Sequence, residues 1–143
     1  MKTYFEPTAE VGRAFALRGI IGEVVMLNLL RFRDIADYSA HSELAPETPI
    51  SGAEAYDRYI AHTLPHLTAS GGEVLFLGMG GPFLIGPETE YWDRAILVRQ
   101  RSAQTFVAFA TDDAYRAGLA HRTAAIADSR LLPLTALPTP AAD

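Results

Sequence analysis

Three observations predict an α+β fold of the ferredoxin-like kind, βαββαβ, with an antiparallel sheet, helices on one face and an extra N-terminal helix. Behind the first helix, capping signals and hydrophobic periodicity run in the order strand, helix, strand, strand, helix, strand, the split βαβ arrangement. Gly86-Pro87-Glu88-Thr89-Glu90 is a turn between two strand-like runs, which makes them an antiparallel hairpin. The first strand-like run is apolar on both faces, since Val25, Leu27 and Leu29 alternate with Val24, Met26 and Leu30. Helices on one face leave the other needing cover, and a second copy of the chain is the simplest source.

Thr8 is a natural N-cap with Glu10 in the first turn, and Arg18-Gly19 a natural end, so the first helix spans about 9–18. A strand covers 23–32, interrupted only by the polar Asn28. The stretch 34–50 carries Pro46 and Pro49 and no sustained period, so it reads as a long loop or arm with one short helical turn. Ser51-Gly52-Ala53-Glu54 is a capping box that opens the next helix, in which Tyr56, Tyr59, Ile60, Thr63 and Leu67 share a stripe. Pro65 cannot donate to the carbonyl of Ala61, which predicts a kink, and Gly71-Gly72 closes the helix.

Glu73 to Met79 and Phe83 to Gly86 read as one strand broken at Gly80-Gly81-Pro82, and Trp92 to Gln100 as its hairpin partner. Ser102 caps a short helix through Ala110, Asp112 caps another from Asp113 to about Ala127, and Arg130 to Leu137 forms the last strand. The whole is one domain, 1–143, with its core at about 23–137 and a tail after Pro138 expected to be mobile.

A chain of 143 residues buries about 68% of its unfolded surface, enough for a proper core. Hydrophobic residues make up 49% and charged residues 20%, which excludes disordered, collagenous and coiled-coil classes. The apolar run 20–30 is shorter than the ~20 residues a membrane-spanning helix requires, and no secretory signal opens the chain. The absence of cysteine excludes disulfides and thiol chemistry and points to a bacterial-type cytoplasm. A net charge of -5 argues against a nucleic-acid partner.

The residues Met26-Leu27-Asn28-Leu29-Leu30-Arg31-Phe32-Arg33, Tyr56-Asp57-Arg58-Tyr59, Gly71-Gly72 and Trp92-Asp93 carry a resemblance, with a final run from Asp113-Ala114-Tyr115 through His121-Arg122 to Asp128-Ser129-Arg130-Leu131. They resemble an uncharacterised family of domains of unknown function in the dimeric α+β barrel superfamily, over roughly 23–134. The last run is the most specific, and the first helix and the 34–50 loop add to the family's shortest form. The resemblance implies a ferredoxin-like protomer whose sheet packs face to face on a twofold mate. It implies no reaction, because that superfamily contains cofactor-free monooxygenases, isomerases, haem enzymes and proteins without assigned activity.

Several residues are candidates for chemistry. Asn28 is an amide in an apolar strand and must be paired. It is either a structural amide or a group that holds a developing oxyanion on the floor of a pocket. Tyr115 and Arg122 lie seven residues apart on what reads as one helix face, with His121 turned about 100° from Arg122. Arg122 either pairs with Asp128 or presents its planar fork to a substrate carboxylate or enolate. His121, or His66, is the candidate acid or base, because an imidazole titrates near neutrality. Tyr56, Tyr115 and Trp92 are candidates for substrate-binding walls and otherwise core aromatics.

His62 and His66 stand four residues apart without a third ligand, so no metal site is assigned. Ser129 lacks a nucleophile elbow, and Gly78-Met79-Gly80-Gly81 precedes a strand instead of a helix and is not a phosphate loop. The leading reading is a cytoplasmic homodimer that binds a small apolar carbonyl, phenol or carboxylate compound. It would work without metal or organic cofactor, by proton transfer or cofactor-free oxygenation, with His121, Arg122 and Asn28 as catalytic residues. A non-catalytic binding module and a structural assembly domain are the alternatives.

Overall fold

A computed structural model describes residues 2–140. Nine helices and strands are described, besides one 3-10 turn at Ser42–Leu44. They are α1 (Ala9–Ala16), β1 (Val24–Phe32), α2 (Gly52–Ala69), β2 (Glu73–Pro82), β3 (Tyr91–Gln100), α3 (Ala103–Ala110), α4 (Asp113–Arg116), α5 (Leu119–Ala125) and β4 (Ile126–Leu134). The four strands form one antiparallel sheet in the order β2-β3-β1-β4, the ferredoxin-like order. β1 and β3 occupy the centre, which suits the two-sided apolar character of β1.

Helices pack against the side of β1 that carries Val24, Met26 and Leu30, all essentially buried. Two clusters form there. Near one end, Phe15 of α1 meets Phe106 of α3 edge-on at 6.0 Å, over Val24, Met26 and Val98. Toward the other end, Tyr56 and Tyr59 of α2, Tyr115 of α4 and Ala124 and Ala125 of α5 gather over Leu30 and Ile96. The opposite side presents Val25, Leu27 and Leu29 beside Leu97 and Leu132, and these are half-buried or exposed. Register places Leu27 opposite both Leu97 and Leu132, so the apolar stripe crosses three strands.

The capping signals hold at atomic detail. Thr8, Ser51, Ser102 and Asp112 each accept a backbone N–H of the first helical turn with their side chains. The arm is an ordered closed loop: Ala36 N donates to Ile50 O and Asp37 N to Ala124 O, both at 2.9 Å. At its foot, Gly52 lies so close to the backbone of Arg33 and Ala125 that no side chain would fit.

Several boundaries differ from the sequence expectation. α1 ends at Ala16, with Leu17 as its C-cap. α2 continues through Pro65 to Ala69 as one helix, with Ala61, Leu64 and Pro65 exposed on that turn. β2 is continuous through Gly80, Gly81 and Pro82. An edge strand pairs on one side only, so it tolerates glycine and proline. The irregularity falls instead between Val74 and Phe76, and Phe83 to Gly86 lie outside the sheet.

The helix expected from Asp113 to Ala127 is two helices, broken at Ala117-Gly118. The imidazole of His62 causes the break. Its Nε2 donates to Ala114 O at 2.8 Å, the carbonyl that a continuous helix would pair with Gly118, and Gly118 N turns to Tyr115 O. A side chain at position 118 would collide with that imidazole. β4 therefore begins at Ile126, not Arg130, and takes in Asp128 and Ser129. The expectation of a mobile tail after Pro138 concerns residues partly outside the described range.

Candidate functional site

The two neighbours His121 and Arg122 face different parts of the chain. His121 Nδ1 lies 2.7 Å from the hydroxyl of Tyr38, which the arm carries into the core, and the two rings meet edge-on at 5.6 Å. Burial lowers the basicity of His121 first, and the charges of Arg58 and His62 lower it further. Burial also raises the Tyr38 hydroxyl above the ordinary phenol range, against an opposing effect of Arg58. A neutral imidazole beside a protonated phenol fixes the roles: Tyr38 donates, Nδ1 accepts and the ring proton sits on Nε2.

Tyr38 also lines an open groove of about 380 Å³, walled by Ile35, Ala36, Ala45, Pro46 and Ile50. That Tyr38 stands between His121 and this groove, whose lining also includes the polar Ser39, Ser42 and Glu47, was not legible in the sequence. Tyr38 stood in a stretch without periodicity, and only its being the one aromatic residue within the arm marked it.

Arg122 grips the N-terminal segment. Its Nη1 donates to Phe5 O at 2.6 Å and its Nη2 reaches Ser129 Oγ at 3.5 Å, while Ser129 Oγ donates to Tyr4 O at 2.6 Å. The carboxylate of Asp128, considered as the partner of Arg122, instead takes Arg130 Nη1 at 2.7 Å and the backbone N–H of Tyr4 at 2.9 Å. Burial pushes the Asp128 carboxyl up, but the N–H donors of Tyr4, Arg130 and Ser129 together outweigh it and hold the group below the usual range.

Tyr115 and Arg122 occupy two successive helices rather than one. Tyr115 belongs to a buried aromatic column in which its hydroxyl meets that of Tyr59 at 2.7 Å and its ring lies 4.4 Å from Phe109. Tyr56 adjoins the column, 5.1 Å from Tyr59 and 5.5 Å from Phe32. Burial raises the hydroxyls of both Tyr56 and Tyr115, so each stays protonated throughout the physiological range. Arg94 lies over Phe32 at 4.9 Å while its Nη1 pairs with Asp57 at 2.8 Å.

Asn28 stands, as the alternation requires, on the helix-covered side opposite Ile96 and Leu131. Its Nδ2 donates to Met26 O and Ile96 O at 3.3 and 3.4 Å. With the donors on strand carbonyls, the group left to present is the acceptor Oδ1, which has no capacity to hold an oxyanion. Trp92 does not join Tyr56. Its ring lies against the guanidinium groups of Arg31 and Arg130, at 5.3 and 5.0 Å.

Of the two remaining histidines, His62 has the structural role described above, and His66 stacks on it at 5.1 Å. His66 also borders a second groove, of about 330 Å³, between α2 and α3. Among the described residues no group of three or more acidic, histidine or cysteine side chains converges in a way that would hold a metal.

The sequence profile of a domain of unknown function, DUF1330, matches residues 45–133, which is more than half of the chain. The chain belongs to the DUF1330 family. Solved relatives of this DUF1330 chain agree with the fold. The crystal structure of the methylated RPA0582 protein shares 36% identity at a TM-score of 0.85, covering 96% of this chain and 98% of its own. A second structure, of the RPA0582 protein of unknown function from Rhodopseudomonas palustris, shares 35% identity at a TM-score of 0.83 and covers 96% and 100%. Coverage of 96% leaves only about six residues unmatched, so the likeness extends beyond the family profile into α1 and the arm. No curated protein matches the chain. Among the described residues of this DUF1330 protein no helix is long and apolar enough to cross a membrane.

Proposed function

We propose that this DUF1330 protein is a homodimer that takes up a small, largely apolar molecule in the groove beneath the arm, with the Tyr38–His121 pair as its acid–base group. The 2.7 Å contact between Tyr38 Oη and His121 Nδ1, with Tyr38 itself lining the groove, carries the reading. A neutral imidazole of lowered basicity beside a phenol can accept or relay one proton near neutral pH, as proton transfer on a carbonyl or phenol requires.

The dimer is supported by the uncovered stripe of Val25, Leu27, Leu29, Leu97 and Leu132, an apolar sheet face that water disfavours. A non-catalytic binding module is the second reading. It is favoured by the protein partners of Arg122 and by Asn28 having its donors on strand carbonyls.

Native mass spectrometry of the purified protein, followed by a melting-temperature screen of small apolar acids, phenols and ketones, tests the proposal. A compound that raises the melting temperature of the wild type and loses its effect with Tyr38→Phe supports the groove. A screen without such a compound, or one whose hits ignore Tyr38→Phe, defeats it. Light scattering of Leu27→Asp against the wild type tests the dimer separately, and a wild type that is monomeric at high concentration ends that part.

A further inference from the structure

The arginines of the sheet are unequally neutralised. Arg94 pairs with Asp57, Arg99 with Glu23 and Glu73, and Arg130 with Asp128, at distances between 2.6 and 3.0 Å. Among the described residues Arg31 has no carboxylate within 4.0 Å, in a chain whose net charge is -5. It is nevertheless held firmly. Nε and Nη2 both donate to Tyr91 O, at 3.2 and 2.9 Å, and the guanidinium lies 4.3 Å from the Tyr91 ring and 5.3 Å from that of Trp92. Two carbonyl bonds and two aromatic faces fix the plane of the fork and leave the Nη1 edge unspent.

Trp92 supplies an independent sign. It is 3% exposed, and its Nε1 is buried without an acceptor. A buried donor without a partner is unfavourable and calls for an explanation. Arg130 lies 5.0 Å from the same indole, with Nη1 already on Asp128 Oδ1 and Ser129 O. Asp93, next to Trp92, spends its Oδ2 on the backbone N–H of Phe32 at 2.8 Å and makes no ion pair with Arg31.

We infer that Arg31, near the end of β1, and Trp92, near the start of β3, form a recognition site for a small monocarboxylate. A planar carboxylate matches the fork of a guanidinium whose plane is already set. The Tyr91 and Trp92 rings beside the guanidinium suit an apolar body behind the carboxylate. The indole N–H is the second donor. This site is separate from the groove beneath the arm, and its assignment does not depend on that groove's role.

Trp92 is the single tryptophan of the chain, so its indole N–H gives one recognisable signal in a ¹H–¹⁵N spectrum. The full-length protein is titrated with cyclohexanecarboxylate at constant ionic strength, and in parallel with cyclohexanecarboxamide, which has the same shape without the charge. The expected result is a saturable shift of the indole signal with the acid and none with the amide, and at least a tenfold weaker affinity in Arg31→Gln. Arg31→Lys, which keeps the charge but loses the fork, is expected to weaken binding as well, and it decides the matter if Arg31→Gln does not fold. An indole signal that does not saturate, an amide that shifts it equally, or full affinity in either variant overturns the assignment.

Discussion

The hydroxyl of Tyr38 sits 2.7 Å from Nδ1 of His121 and so joins the arm to the last helix before β4. The next residue, Arg122, does the same for the N-terminal segment through Phe5 O. Two consecutive side chains of α5 therefore fasten two peripheral segments, one on each side. The residues that looked most like catalytic machinery are also the points at which the fold is closed.

Tyr38→Phe removes one hydrogen bond and leaves the ring in place. We expect a loss of about 1 kcal/mol, the usual net worth of such a bond. Hydrogen exchange should then quicken in residues 34–50 and little elsewhere, because the backbone bonds of Ala36 and Asp37 still close the arm. Uniform acceleration across the sheet would contradict this local role.

Acid stability should show two separate losses. His121 is less basic folded than unfolded, so the unfolded state binds the extra proton. Stability therefore falls as the pH drops below the unfolded imidazole value of about 6.5 and levels off below the folded value. Asp128 acts in the same sense at lower pH, its unfolded carboxyl likewise binding the extra proton. Its carboxyl is more acidic folded than unfolded, so its contribution is complete above about 3.9 and disappears as the pH falls through the folded value. Thermal melts from pH 8 to 3 of the wild type, His121→Gln and Asp128→Asn measure both. His121→Gln should flatten the first descent and Asp128→Asn the second.

Arg122→Ala and Asn28→Leu are expected to differ. The arginine holds Phe5 O through a charged hydrogen bond, of a kind worth about 1.5–3 kcal/mol. Its removal should lower the melting temperature and expose residues 2–6 to protease. Asn28 makes two long bonds to strand carbonyls, so its replacement by leucine should change stability by less than about 1 kcal/mol. The reverse order of effects would make Asn28 the structural residue.

Gly118→Ala tests the helix break. A methyl group at 118 meets the His62 imidazole, and overpacking of this sort costs about 1–3 kcal/mol. The double variant with His62→Ala should recover part of the loss, since the obstacle is removed along with the hydrogen bond to Ala114 O. Two losses that simply add would show that His62 and Gly118 do not interact.

By itself the sequence determined the local and the periodic. The caps at Thr8, Ser51, Ser102 and Asp112 are contacts within three residues, so the chain spells them out directly. The antiparallel order and the side on which Val24, Met26, Asn28 and Leu30 stand follow from alternation along β1. Only the tertiary structure decided which distant groups meet. The break at Gly118 depends on His62, the start of β4 at Ile126 on the N-terminal segment that bonds Asp128 and Ser129, and the surroundings of Trp92 on Arg31 and Arg130. The pairing of Tyr38 with His121 joins residues 83 positions apart. Hydrogen bonds and aromatic contacts act over a few ångströms of space, and that proximity has no periodic trace along the chain.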